Sequence, residues 1–167
     1  DPYPILKAML DRFRASVAEL PQAADPADLH RIVILASLVE KETAVPAERP
    51  AVAGVYARRL AIGMLLQCDP TVIYGLGENF DGNLRRAHLQ DPANPYNTYV
   101  HPGLPPGPIC SPGKASLQAA ANPEKHDFLY FVGRQDGSHH FSRTLSEHNN
   151  AVIKYQRKGR PFPAREE

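Results

Sequence analysis

The sequence predicts an α+β fold, mainly helical, with one small antiparallel hairpin and one long proline-rich loop. Three observations predict it. Apolar residues recur at helical spacing between residues 4 and 61. Seven prolines fall between Asp91 and Pro112, which excludes regular helix there. Two short runs suited to strands, about 128–133 and 139–142, flank Asp136-Gly137, a dipeptide that favours a tight hairpin turn.

The first helix is expected over about 4–20, where Leu6, Met9, Leu10, Phe13, Val17 and Leu20 make one apolar stripe. Asp25-Pro26 starts the second, because the Asp side chain can accept from free N–H groups and proline suits the first helical position. That helix carries the run Ile32 to Val39, apolar on all sides and therefore central and buried, and it ends at Glu40-Lys41-Glu42-Thr43. A third spans about 47–61 with Val52, Val55, Tyr56 and Leu60 inward and Gly63 placed to stop it. The proline-rich stretch reads as a rigid ordered loop, and loops of that length are usually functional. Ser111-Pro112 caps a short helix to about Ala121. After the hairpin, Thr144 with Glu147 forms a capping box that opens a last helix to about Lys158. No internal repeat or domain boundary is visible, so residues 1–167 read as a single domain: the first helix followed by a core over about 26–158.

Composition sets outer bounds on function. With 167 residues and 43% hydrophobic content, the chain is long enough for a single core. Nineteen basic against 18 acidic residues leave a net charge of +1, which provides no basic field for nucleic acid or an anionic membrane. No run approaches the roughly 18 apolar residues of a membrane span. Cys68 and Cys110 lack zinc-site spacing and read as buried free thiols, with a single bridge between them conceivable in an oxidising compartment. The histidines give no helical i, i+4 metal pair, and adjacent His139 and His140 on a strand point to opposite faces. No phosphate loop, nucleophile elbow or Cys/His arrangement is present, so neither metal nor cofactor is expected.

Three places can carry chemistry. Glu40 follows Ala36, Val33 and Leu29 along one line of the second helix, a line without polar residues, so its carboxyl is expected among apolar neighbours. Such surroundings raise a carboxyl pKa and let it hold a proton for donation at neutral pH. Glu42 lies on the line of Leu38, Leu35 and Arg31, and geometry prefers Glu40 only modestly. Both can equally be solvated last-turn residues pairing with Lys41 or Arg49. The second place is Gln67-Cys68-Asp69-Pro70-Thr71, whose polar groups suit sugar hydroxyls or N-acetyl groups, although Asp69 also suits a plain helix cap before Pro70. The third, Pro95-Tyr96-Asn97-Thr98-Tyr99, mixes rings with amide and hydroxyl groups as sugar sites do. An ordinary loop with packed tyrosines reads equally from it.

Ile34 to Thr43, Leu66 to Gly75, Pro95 to Tyr99 and Gly103 to Ile109, continuing through Leu129 to Val132 and His140-Phe141 to His148-Asn149, resemble the MltG-type, or YceG-like, endolytic murein transglycosylases. The resemblance covers about residues 30–155 and departs at Cys68, where the family pattern has threonine. It implies a lysozyme-like catalytic domain with Glu40 as the one acid/base. Glu40 would protonate the bond between N-acetylmuramic acid and N-acetylglucosamine, then take the proton of the muramoyl C6 hydroxyl as that oxygen closes on C1. The product is a 1,6-anhydromuramoyl end, formed without water and so without the second carboxylate of ordinary glycosidases. Gln67, Asp69, Tyr96, Asn97 and Thr98 would line the cleft, with Glu42 and Tyr99 as secondary candidates. The resemblance further implies glycan strands as substrate, cell-wall synthases as partners, no nucleic acid, and a place at the periplasmic face of the bacterial cytoplasmic (inner) membrane. A membrane anchor is then expected upstream of the chain's first residue. A hydrolytic muramidase, a non-catalytic peptidoglycan-binding module and a structural partner of the synthesis machinery stay open beside it.

Overall fold

The structure, a computed structural model, describes residues 2–157. Helix α1 (Tyr3–Ala18) uses only part of its apolar stripe. Phe13 and Val17 pack on the core, whereas Leu6, Met9 and Leu10 are 59%, 56% and 46% exposed, which corrects the expectation of one continuous inner face. Helix α2 (Pro26–Glu42) begins as expected, with Asp25 Oδ1 accepting from Ala27 N at 2.7 Å. It is the central element, packed against α3 (Arg49–Ala61), α4 (Asp69–Leu76) and α6 (Lys114–Ala121). That explains its all-round apolar middle, in which Ile34 to Val39 are buried.

A 3-10 turn over Pro46–Glu48 leads into α3, which stops at Gly63, a residue at φ 69°. Gly54 of α3 faces the returning segment 124–126 so closely that a β-carbon would collide with the Glu124 carbonyl and the His126 ring. Helix α4 starts one residue before the Asp69 cap reading: Cys68 holds the cap position and Asp69 lies in the first turn, so Asp69 is not the cap and its side chain is left for Tyr99. The one-turn helix α5 (Arg86–Leu89) was not legible in the sequence.

The proline-rich segment 91–112 holds no helix or strand. Proline supplies no N–H, so side chains take over the ordering. Asn97 Nδ2 donates to the carbonyls of His88, Leu89 and Asp91 at 2.9–3.2 Å, and Ile109 N donates to Ser37 Oγ of α2 at 3.0 Å. Helix α6 begins at Lys114, later than Ser111-Pro112 suggested.

Strands β1 (Tyr130–Gly133) and β2 (His139–Ser142) pair antiparallel, Tyr130 opposite Ser142 and Gly133 opposite His139. β1 starts two residues later than predicted. Gly137 at φ 85° makes the turn possible. Helix α7 (Leu145–Tyr155) opens with the predicted capping box: Thr144 Oγ1 accepts from Glu147 N at 3.2 Å and Glu147 Oε2 from Thr144 N at 3.3 Å. Lys158, the expected end of α7, lies outside the described residues. The mainly helical α+β class holds. Cys68 and Cys110 are both free, so no bridge joins them: Cys68 is buried, and Cys110 Sγ donates to the Ser37 carbonyl at 3.4 Å. Among the described residues no helix is long and apolar enough to cross a membrane.

Candidate active site

The hairpin and α7 close over one end of the helical core and leave a cleft of about 440 Å³. Its floor is tied by Arg59 of α3. The Arg59 guanidinium donates to the carbonyls of Leu129 at 2.7 Å and Leu66 at 2.6 Å, joining the segment before β1 to the segment before α4. Tyr130 lies over it, 5.2 Å from ring centroid to guanidinium carbon. Gln67 enters the cleft from a backbone at φ 52°, the one non-glycine positive φ among the described residues. A left-handed backbone costs a residue with a β-carbon roughly 1–3 kcal/mol, and such strain concentrates at functional sites.

Glu42, on the last turn of α2, lines the cleft. Its Oε1 accepts from Tyr56 OH at 2.7 Å. Enclosure by protein raises its pKa from the ordinary carboxylate value, against the lowering effect of hydrogen bonds from Cys68 and Tyr56; nearby Asp69 raises it further and His139 lowers it. Tyr56, 1% exposed, and Cys68 are themselves pushed up by burial, so both stay protonated donors.

Glu40 sits two residues earlier, on another side of the helix, and does not line the cleft. Its Oε2 accepts from Ser116 Oγ at 2.5 Å and from Gly113 N at 3.2 Å, and Arg49 Nη2 lies 3.9 Å from Oε1. The Ser116 bond leads in lowering its pKa, assisted by Gly113, Arg49 and Lys41 and opposed by burial. The apolar surroundings expected for Glu40 are therefore absent. Its carboxylate instead satisfies donors at the start of α6, where the positive end of a helix favours an anion.

Gln67, Asp69 and Tyr99 line the same cleft as Glu42. Tyr99 OH donates to Asp69 Oδ1 at 2.5 Å, and burial leads in pushing the phenol's pKa up. Tyr96, Asn97 and Thr98 do not line the cleft, which corrects the expectation that the whole 96–98 run faces it. Tyr96 packs on Tyr74, with ring centroids 4.8 Å apart. Asn97 is fully buried in its loop, and Thr98 Oγ1 accepts from Cys68 N at 2.9 Å and meets Thr71 Oγ1 at 2.9 Å. Asn97, whose Oδ1 accepts from Tyr99 N at 3.0 Å, and Thr98, whose carbonyl accepts from Gln67 N at 3.0 Å, place Tyr99 and the 67–69 turn instead of facing the cleft.

Sequence reasoning missed Tyr56, Arg59, Tyr130, His139 and His148 as cleft residues. Arg59 carried a visible signal, an arginine on the inward line of Val52 and Tyr56. His139 had none, because its carboxylate partner is remote in sequence: Glu48 Oε1 accepts from His139 N at 2.8 Å and Oε2 meets Nδ1 at 2.7 Å. His148 stacks on Tyr130 at 5.3 Å, and burial lowers its pKa, with Arg59 and His140 adding to the effect.

Fold and cleft together define a class: a mainly helical domain with a groove that carries an enclosed carboxyl of raised pKa among tyrosines, histidines and an amide group. The chain belongs to the YceG-like family, whose model matches residues 1–154. It is 39% identical over 153 residues to the endolytic murein transglycosylase of Bacillus subtilis, covering 90% of this chain and 42% of that protein. A second endolytic murein transglycosylase, from Streptococcus pneumoniae, is 33% identical over 131 residues, 76% of this chain and 24% of that protein. The crystal structure of a YceG-like protein from Listeria monocytogenes superposes with a TM-score of 0.71 at 38% identity, over 85% of this chain and 44% of that one. The chain thus spans less than half the length of these relatives.

Proposed function

We propose that this chain is the catalytic part of an endolytic murein transglycosylase and that Glu42, not Glu40, is its acid. The enclosed Glu42 carboxyl, facing an open cleft with its pKa raised, carries the reading. Glu42 protonates the glycosidic oxygen between N-acetylmuramic acid and N-acetylglucosamine, and Tyr56 supports the carboxylate left behind. The muramoyl C6 oxygen closes on C1 as the bond breaks. No water enters the product, and the proton leaving the C6 hydroxyl restores the acid. Gln67, with an exposed amide beside Glu42, and the Asp69–Tyr99 pair orient the sugars. The family relationship supports glycan strands as the substrate. It also motivates placing the protein at the periplasmic face of the cytoplasmic membrane, anchored there and working beside cell-wall synthases.

Uncrosslinked glycan strands incubated with the chain and its Glu42→Gln and Glu40→Gln forms, followed by mass spectrometry, test this. Internal fragments with anhydromuramoyl ends, abolished by Glu42→Gln and kept by Glu40→Gln, are expected. Loss with Glu40→Gln alone returns the role to Glu40. Reducing ends would make the protein a hydrolase.

A further inference from the structure

Glu42 accounts for one proton movement in the cleft; the structure offers a second group for the other. We propose that His139, oriented by Glu48, takes the proton of the substrate hydroxyl that closes the ring, so that acid and base are separate groups on the cleft. The inference rests on the Glu42 reading above.

His139 heads β2 and lines the cleft together with Glu42, near enough to act on its charge. Its backbone N–H and Nδ1 are both engaged by the Glu48 carboxylate, at 2.8 Å and 2.7 Å. Holding Nδ1 as the protonated nitrogen leaves Nε2 as the acceptor of the neutral ring. The ring stands edge-on to Phe131, centroids 5.5 Å apart, and Phe131 stands edge-on to Tyr56 at 5.9 Å. The imidazole, the apolar spacer and the Glu42–Tyr56 pair thus form one contiguous wall. Burial raises the Glu48 pKa, but hydrogen bonds from the His139 N–H and ring outweigh it, so Glu48 stays an anion able to steady an imidazolium. Only 16% of the Glu48 side chain and 13% of the His139 side chain are exposed, so the pair is weakly screened.

The charge balance favours two groups. When Glu42 donates, an enclosed carboxylate appears, which is costly unless a positive charge appears with it. The glycosidic C1–O bond breaks, its oxygen keeps the Glu42 proton, and the C6 oxygen bonds to C1. The C6 proton passes to His139 Nε2, giving an imidazolium held by the Glu48 carboxylate on the wall that also carries Glu42. Its return to Glu42 resets both groups. The other titratable cleft groups are worse placed: Asp69 is exposed and held by Tyr99, and His148 is stacked on Tyr130 with its Nδ1 buried and without a hydrogen-bond partner.

The test uses His139→Gln and Glu48→Gln, which keep polar shape without a base or a fixed tautomer, with melting temperature and product analysis on uncrosslinked strands. His139→Gln is expected to lower kcat roughly a hundred- to ten-thousand-fold, the usual worth of a positioned base. KM should stay within about threefold, because substrate binding is kept. The surviving turnover should release more reducing ends, because ring closure is the step impaired. Nitrogen NMR of the unmodified chain should report Nδ1–H and unprotonated Nε2 at His139, and an Nε2–H tautomer would overturn the proposal whether or not the variants fold. Full kcat and unchanged anhydro ends in His139→Gln, with Glu42→Gln inactive, leave Glu42 in place and sink the relay. Unchanged cleavage by Glu42→Gln removes the acid assignment itself, and the relay with it.

Discussion

Replacing Tyr56 by phenylalanine deletes the phenol that donates to Glu42 at 2.7 Å while keeping the ring that stands edge-on to Phe131. The site is 1% exposed, so no water fills the gap freely. A hydrogen bond to a charged group is worth about 1.5–3 kcal/mol and one to a neutral group about 0.5–1.5 kcal/mol. The same phenol bonds the protonated carboxyl as well, so the difference, about 1 kcal/mol, is what shifts the equilibrium. Losing the phenol therefore raises the Glu42 pKa further, since the Tyr56 bond is one of the influences that lower it. The sign is upward, because the anion loses more than the acid does. Glu42 donates only when protonated, so the alkaline limb of kcat against pH moves to higher pH. Release of anhydromuramoyl ends across a pH series, with melting curves at each point, reads it. A limb that stays put, or moves down, would refute the idea that Tyr56 tunes the acid.

Glu40 and Glu42 should link stability to pH in opposite senses. Glu40, with its pKa lowered, stabilises the fold above the ordinary carboxylate range and loses that contribution as pH falls through its folded pKa. With 31% of its side chain exposed, Glu40→Gln should cost about 1 kcal/mol at neutral pH, a fall in Tm of roughly 2–4 °C that shrinks in acid. Glu42, with its pKa raised, stabilises the fold least above its folded pKa, so Glu42→Gln should raise Tm at neutral pH and lose the advantage below the ordinary range; scanning calorimetry from acid to neutral pH checks both. Asn97→Ala should leave the half-buried carbonyls of His88, Leu89 and Asp91 and the Tyr99 N–H short of partners and cost about 3 kcal/mol, read by urea unfolding. Gly54→Ala should destabilise by driving segment 124–126 off α3, visible as early loss of amide protection in 124–128.

Local signals carried much of the fold. Asp25-Pro26, the Thr144/Glu147 box and Asp136-Gly137 each act over three or four residues, so their geometry is written in neighbouring side chains. The proline run likewise announced its irregular path, and Gln67, Asp69 and Tyr99 were legible because polar and aromatic groups stood in short mixed strings. Neither α5 nor the Glu48–His139 pair could be read, since one is a single turn and the other spans residues remote in the chain.

The two glutamates mark where sequence stops and tertiary structure begins. Composition and motif order determined the mainly helical α+β class and the family, and singled out the two glutamates at the end of α2 as candidates. The sequence places the role on Glu40, with only a modest preference from geometry, because the middle of α2 is apolar on every side and the line of Glu42 is apolar as far as Arg31. Positions two apart on a helix face different neighbours. The start of α6 came to lie against Glu40 and offered it donors, whereas Tyr56, Cys68 and the hairpin enclosed Glu42. A carboxyl's proton affinity follows its surroundings, and those surroundings were assembled from residues tens of positions away.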